Sequence, residues 1–85
     1  MYEWDDAKRR KNMLRHGVDF SDVESFQWEE ARVLEDTRKN YGERRFRGFG
    51  PINGRMHCVA FTVRGGNIRL ISLRKANARE VTAHG

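Results

Sequence analysis

A single cysteine, Cys58, stands in the chain, so no disulfide can form within it, and a reducing cytoplasm is the expected compartment. Its alternation with Met56 and Ala60 reads as packing. Proline occurs once, and no low-complexity tract, internal repeat or linker interrupts the chain, so residues 1–85 read as one domain. No apolar run approaches the roughly 20 residues of a bilayer span, and no signal-type apolar stretch opens the sequence. A soluble protein without a membrane partner is expected. The acids form no HExxH, EF-hand or two-metal pattern, and one cysteine with three histidines makes no zinc-ligand spacing. Neither a metal nor a cofactor is expected.

Acidic residues are scarce where basic ones are dense. Residues 37–85 hold eleven Lys and Arg against Glu43 and Glu80, a net charge of +9. Residues 19–36 hold seven acids against Arg32, a net of −6, and residues 1–18 add +2, giving the formal +5. The C-terminal half is therefore a cationic platform suited to a polyanion, and the acidic segment either lies on another surface or neutralises one edge of it. A plain solvated basic surface is the competing reading. A chain of 85 residues has a thin core, because a domain of about this size buries only about 60% of the surface its unfolded chain exposes.

Local signals place the elements. Asp5 or Asp6 caps a helix running to about His16, with Gly17 as its left-handed stop. Trp4, Ala7, Leu14 and Val18 cluster on one face of that helix with the Lys11 stem between them, while Lys8, Asn12 and His16 form a polar stripe at its edge. Ser21 to Glu24 has capping-box form, predicting a second short helix with Val23 and Phe26, and with Phe20 at its entry. Ala31 to Asp36 reads as a strand, Lys39 to Gly42 as a turn, and the remainder as a three-stranded meander. Asn53-Gly54 and Gly65-Gly66 are its two tight turns, pairing Ile52 with Arg55 and Arg64 with Asn67. Asn77 with Glu80 three residues later caps a last helix of about two turns.

Strict alternation from those turns sorts the sheet. One face collects Phe46, Gly48, Gly50, Val59, Phe61, Val63, Ile68 and Leu70, with His57 opposite Arg74; it is the core, and its glycines leave room for a helix to approach. The other collects Arg45, Arg47, Phe49, Cys58, Ala60, Thr62, Arg69, Ile71, Leu73 and Lys75, cations over an apolar floor. Such a surface suits phosphates with stacked bases, or a partner's amphipathic helix covering the floor. The step from Arg74-Lys75 into the capped helix is a phosphate seat in form.

Helix, helix, four antiparallel strands and a short helix, in a small basic chain, resemble the RelE/ParE-like fold of bacterial toxins: an α+β architecture with two N-terminal helices packed on a four-stranded antiparallel sheet. Trp4-Asp5, Lys8, Asn12, His16-Gly17-Val18 and Phe20, then Glu43, Arg45, Gly48, Arg69, Ile71 to Ala76 and Glu80 resemble the BrnT family in order along nearly the whole chain. The resemblance implies a type II toxin: a ribonuclease that blocks translation, its substrate RNA free or on the ribosome, silenced by a BrnA-like antitoxin with a ribbon-helix-helix domain. Operator DNA is then contacted only through the toxin–antitoxin complex. The tyrosine that RelE-like enzymes often carry near the C-terminus has no counterpart in Thr82-Ala83-His84-Gly85, which leaves that role absent or with His84.

Metal-free RNA cleavage needs a 2′-OH deprotonated, a phosphorane charge stabilised and a 5′-oxygen protonated. Arg45, Arg69 and Arg74 are the candidates for charge stabilisation, since a guanidinium grips two phosphate oxygens, and pairing with Glu43 and Glu80 is the competing role. Lys75 is an adjacent point charge and a candidate base. His16 is the natural acid or base, the alternative being a helix C-terminal cap. Lys8, Arg47 and Arg64 are candidate RNA contacts, as is Asn12, although Lys8 at the rim of an apolar stripe can equally lie over the core. A ParE-like gyrase inhibitor and a non-catalytic double-stranded-RNA-binding module are the alternative functions.

Overall fold

In the computed structural model, which describes residues 1–85, the helix stop and the two hairpin turns follow from local backbone requirements. The Asp5 carboxylate accepts the Ala7 N–H at 2.7 Å and starts α1 (Asp6–His16); Gly17 ends it at φ 70°, donating its N–H to the Met13 carbonyl. Asn53 and Gly54 take φ of 49° and 79°, and Gly65 and Gly66 take 55° and 80°, so both hairpins close with two residues and Ile52 pairs with Arg55, Arg64 with Asn67.

The strands are β1 (Tyr2–Glu3), β2 (Arg32–Glu35), β3 (Phe46–Ile52), β4 (Arg55–Arg64) and β5 (Asn67–Lys75), in the order β1-β5-β4-β3-β2. The expected four-stranded antiparallel sheet is thus a five-stranded mixed one. Residues 2 and 3 pair parallel to β5, Tyr2 with Ile68 and Glu3 with Arg69, a contact too short to leave any alternation in the sequence.

The expected second N-terminal helix is also corrected. Two 3₁₀ turns, Phe20–Ser25 and Trp28–Glu30, occupy its place, with Asp19 rather than Ser21 as the first cap. Phe20, Val23 and Phe26 recur every three residues, the period of a 3₁₀ turn, and all three are buried on the sheet. With Val18, Ile52, Val59, Phe61, Leu70 and Leu73 they make the core. Gly48 and Gly50 do leave room, and aromatic rings fill it: a Cβ on Gly50 would lie 2.9 Å from both the Phe26 ring and Ala31.

α1 does not bury the stripe expected of it. Ala7 is exposed and Leu14 is 90% exposed, whereas Asn12 is the buried residue of the helix. The apolar anchors lie outside it: Val18 is in the core, and Trp4 packs edge-on against Phe20 with ring centroids 6.0 Å apart. α1 lies along β5, where β1 leaves the edge unpaired beyond Arg69.

A bulge in β5 changes the sidedness of the sheet. Phe61 pairs with Leu70 and Ala60 with Ser72, leaving Ile71 without a partner; beyond it Val59 meets Leu73, Cys58 meets Arg74 and His57 meets Lys75. Leu73 therefore enters the core, Ser72 and Arg74 move to the cationic face, and Lys75, not Arg74, lies opposite His57.

α2 (Ala78–His84) begins with the expected capping box between Asn77 and Glu80. It folds back over the cationic face, where His84 stacks on Phe49 with centroids 4.0 Å apart and both Phe49 and Cys58 are buried. The expected bare apolar floor is thus largely covered: Leu73 belongs to the core, Phe49 lies under His84 of the last helix and Cys58 is buried, while Ala60 and Ile71 stay partly exposed.

Candidate functional site

Charge neutralisation separates the cations more sharply than position does. Arg45 and Arg64 share Glu43, at 3.2 and 2.9 Å, at the end of the sheet where β3 begins, and Arg45 also lies over the Tyr41 ring. Arg69 lies 3.9 Å from Glu3, and Arg74 grips Glu80 through two hydrogen bonds of 2.7 and 2.8 Å. Glu80 also accepts the Asn77 N–H, so the expected phosphate seat at the start of α2 holds this chain's own carboxylate. Glu80 is held down at about 2, chiefly by its hydrogen bonds from Arg74.

Lys8, Lys11 and Arg15 have no carboxylate within ion-pair distance. Spaced three and four residues apart, they share one face of α1. With Asn12, His16, Ile71 and Ser72 they line a cleft of about 260 Å³ between α1 and β5 that contains no acid. Its floor is supplied by the bulge, which turns Ile71 and Ser72 toward the helix. Ser72 shares its face of β5 with Arg74.

His16 is half-buried in this cleft, at the end of α1. Burial lowers its pKa first, and the charges of Arg15 and Arg74 lower it further, so the imidazole is neutral near pH 7 and able to accept a proton. Arg74 is close enough to be felt by His16 although the two lie on different elements.

Of the residues singled out in the sequence, His16 and Lys8 line this cleft, and Arg74 lies outside its lining but close enough for its charge to act on His16. Arg69 lies further along β5 on the same side as Arg74 and Ser72, two strands from Arg47. Arg47 lies over the Phe49 ring at 5.5 Å, and its Nε is buried without a hydrogen-bond partner, as is Nδ1 of His84. Arg45 and Arg64 belong to the Glu43 cluster at the far end, and Lys75 is exposed beside His57 on the opposite side of the sheet. Lys11, Arg15 and Ser72 were not anticipated. The recurrence of cations at positions 8, 11 and 15 was the signal for the first two, whereas Ser72 depends on the bulge.

No three His, Cys, Asp or Glu side chains stand together as a metal-binding group. The acidic segment is directed elsewhere: Asp22, Glu24, Glu29 and Glu30 ride on the 3₁₀ turns that cover the core side of the sheet, while Asp19, Glu35 and Asp36 are paired with Arg9, Arg44 and Arg38.

A cleft with unpaired cations, a neutral histidine and no carboxylate is chemically suited to a phosphodiester. The model of the BrnT family, ribonuclease toxins of type II toxin-antitoxin systems, matches residues 4–80. The chain belongs to the BrnT family. Among curated proteins none matches it. As a BrnT-family protein the chain is a ribonuclease toxin, which implies an RNA substrate and an antitoxin partner. The match lends no support to the gyrase-inhibitor or non-catalytic alternatives. It spans every element from α1 to the start of α2, so both walls of the cleft lie inside it. No helix of this BrnT-family chain is long and apolar enough to cross a membrane.

Proposed function

We propose that the protein is a metal-independent endoribonuclease whose reaction takes place in the cleft between α1 and β5. The carrying observation is the acid-free lining around His16, with Lys8, Lys11 and Arg15 unpaired on one wall and Ser72 on the other. His16 takes the proton of the ribose 2′-OH, whose oxygen attacks the adjacent phosphorus. Lys8, Lys11 and Arg15 hold the RNA backbone, and Arg74 and Arg69 stabilise charge as it develops on the phosphate oxygens. The 5′-oxygen leaves with a proton from water at the open mouth of the cleft. The products are a 2′,3′-cyclic phosphate and a 5′-hydroxyl end.

Arg47 is a further RNA contact on the cationic face and Arg64 a more distant one at the far end of the sheet, while Arg45 and Lys75 stand outside the chemistry. The antitoxin is of the BrnA type with a ribbon-helix-helix domain, the complex meets operator DNA through that domain, and the one-domain toxin acts on translation in the cytoplasm. The resemblance of the sequence to its family and the basic surface support these points.

Purified protein incubated with RNA in excess chelator tests the reading. Cleavage leaving 5′-hydroxyl ends, slowed at least about 100-fold by His16→Ala, is expected. Intact RNA, or cleavage that needs added metal, would refute it.

A further inference from the structure

Asn12 is the one buried residue of α1, 6% exposed, in the place where a helix on a sheet ordinarily carries a leucine. Its carboxamide is fully engaged. Nδ2 donates to the Val18 carbonyl at 2.9 Å and to the Leu73 carbonyl at 2.7 Å, and Oδ1 accepts the Leu73 N–H at 3.1 Å. In an antiparallel pair both backbone groups of a residue point to the same side, and those of Leu73 point to the edge that β1 leaves open beyond Arg69. The side chain thus does what a neighbouring strand residue would do, at a single position.

That position matters because of its neighbours. Leu73 lies two residues past the unpaired Ile71, between Ser72, which floors the cleft, and Arg74. Asn12 lies one helical turn before His16 on the same side of α1, and its bond to Val18 draws in the chain just after the helix stop. One carboxamide therefore joins the end of the helix that carries His16 to the strand segment that carries Ser72 and Arg74. An apolar residue could bury comparable surface, yet it would fix neither the sliding of α1 along β5 nor the register of β5 beyond its bulge.

We propose that Asn12 is a positioning residue for RNA cleavage, setting His16 against Ser72 and Arg74 without touching the substrate. This rests on reading the α1–β5 cleft as the reaction site. The groups around His16 are Arg15, Lys11 and Lys8 of its own helix and Arg74 of β5, the last bonded to Glu80 of α2.

The test compares the full chain with its Asn12→Ala variant, following His16 ring resonances by NMR against pH and cleavage of a single-stranded RNA oligonucleotide in chelator. In a folded Asn12→Ala protein the His16 midpoint moves up toward the ordinary value of about 6.5. The acidic limb of kcat moves with it, and kcat falls by about 100-fold while KM stays within about two-fold, the signature of misplacement. Should that variant not fold, Asn12→Leu keeps comparable buried surface and adds no charge beside His16 while losing every hydrogen bond of the carboxamide, and the same shifts are expected. An unmoved His16 midpoint in a folded variant overturns the inference, as does a moved midpoint with an unmoved kcat profile, or loss of the fold in both variants. His16→Gln, measured alongside, separates the two levels of argument: full cleavage by it would remove the reading of the cleft itself, whatever Asn12 does.

Discussion

Arg74 and Glu80 meet in a two-point contact, with Nη1 to Oε1 at 2.7 Å and Nη2 to Oε2 at 2.8 Å, and this pair fastens α2 to the cationic face of the sheet. Replacing Glu80 by Gln is expected to cost about 1–3 kcal/mol of stability, read from urea unfolding midpoints near neutral pH. The pH dependence has a definite sign. The carboxyl has its ordinary value of 4.5 when unfolded and about 2 when folded, so the unfolded chain binds the extra proton between those values. The contribution is therefore complete above pH 5 and fades as pH falls toward 2, so the parent and Glu80→Gln stabilities converge there.

If His16 is the base, as proposed, it governs the acidic side of catalysis. Because burial and the charges of Arg15 and Arg74 lower its pKa, the base form persists below the pH at which a free histidine would be half protonated. The acidic limb of kcat/KM is expected to have its midpoint below about 6.5. His16→Ala is expected to reduce kcat by about 10²- to 10⁴-fold and to remove that limb. A limb centred above 6.5 would assign it to another group.

Unpaired cations release counterions when RNA binds, and paired ones much less. Alanine at Lys8, Lys11 or Arg15 is expected to reduce the slope of log affinity against log salt by about 0.7 each on single-stranded RNA. Arg10→Ala, which removes a cation already held by Asp6 at 3.0 Å, is expected to leave the slope nearly unchanged. Filter binding of a non-cleavable RNA across a salt series measures both.

Gly50 has no room for a methyl group between Phe26 and Ala31. Gly50→Ala is expected to destabilise the protein by about 1–3 kcal/mol through displaced rings, with secondary structure retained by circular dichroism.

Leu14 projects into solvent. Leu14→Lys is expected to change stability by less than about 0.5 kcal/mol in thermal or chemical unfolding, where a buried leucine at that place would cost several times as much.

What the sequence made legible was whatever depends on few residues in a row. The left-handed pairs at Asn53-Gly54 and Gly65-Gly66, the Gly17 stop and the Asn77–Glu80 box impose their geometry locally, and all are found where expected. Features resting on distant partners were misread. Tyr2-Glu3 becomes a strand only because β5 offers it an edge, and the polar buried face of α1 follows from a hydrogen bond between residues 61 positions apart. Leu70-Ile71, two adjacent apolar residues in an otherwise alternating run, was the visible trace of the bulge. Reading through it as regular strand exchanged Arg74 and Lys75 between the two sides of the sheet. The cleft shows the same division: His16 and Lys8, which line it, stood out by residue type, as did Arg74 nearby, whereas Ser72 needed the corrected register.

The unpaired Ile71 also makes chain length, rather than composition, the sensitive variable in this part of the molecule. Removing Ile71 itself would restore a regular ladder and leave Ser72, Leu73 and Arg74 on their present sides, whereas one extra residue between Ser72 and Leu73 would turn Leu73 out and send Arg74 inward. Substitutions along β5 perturb one side chain at a time, whereas a single insertion past the bulge would invert a whole segment, leaving the cationic face greasy and the interior charged.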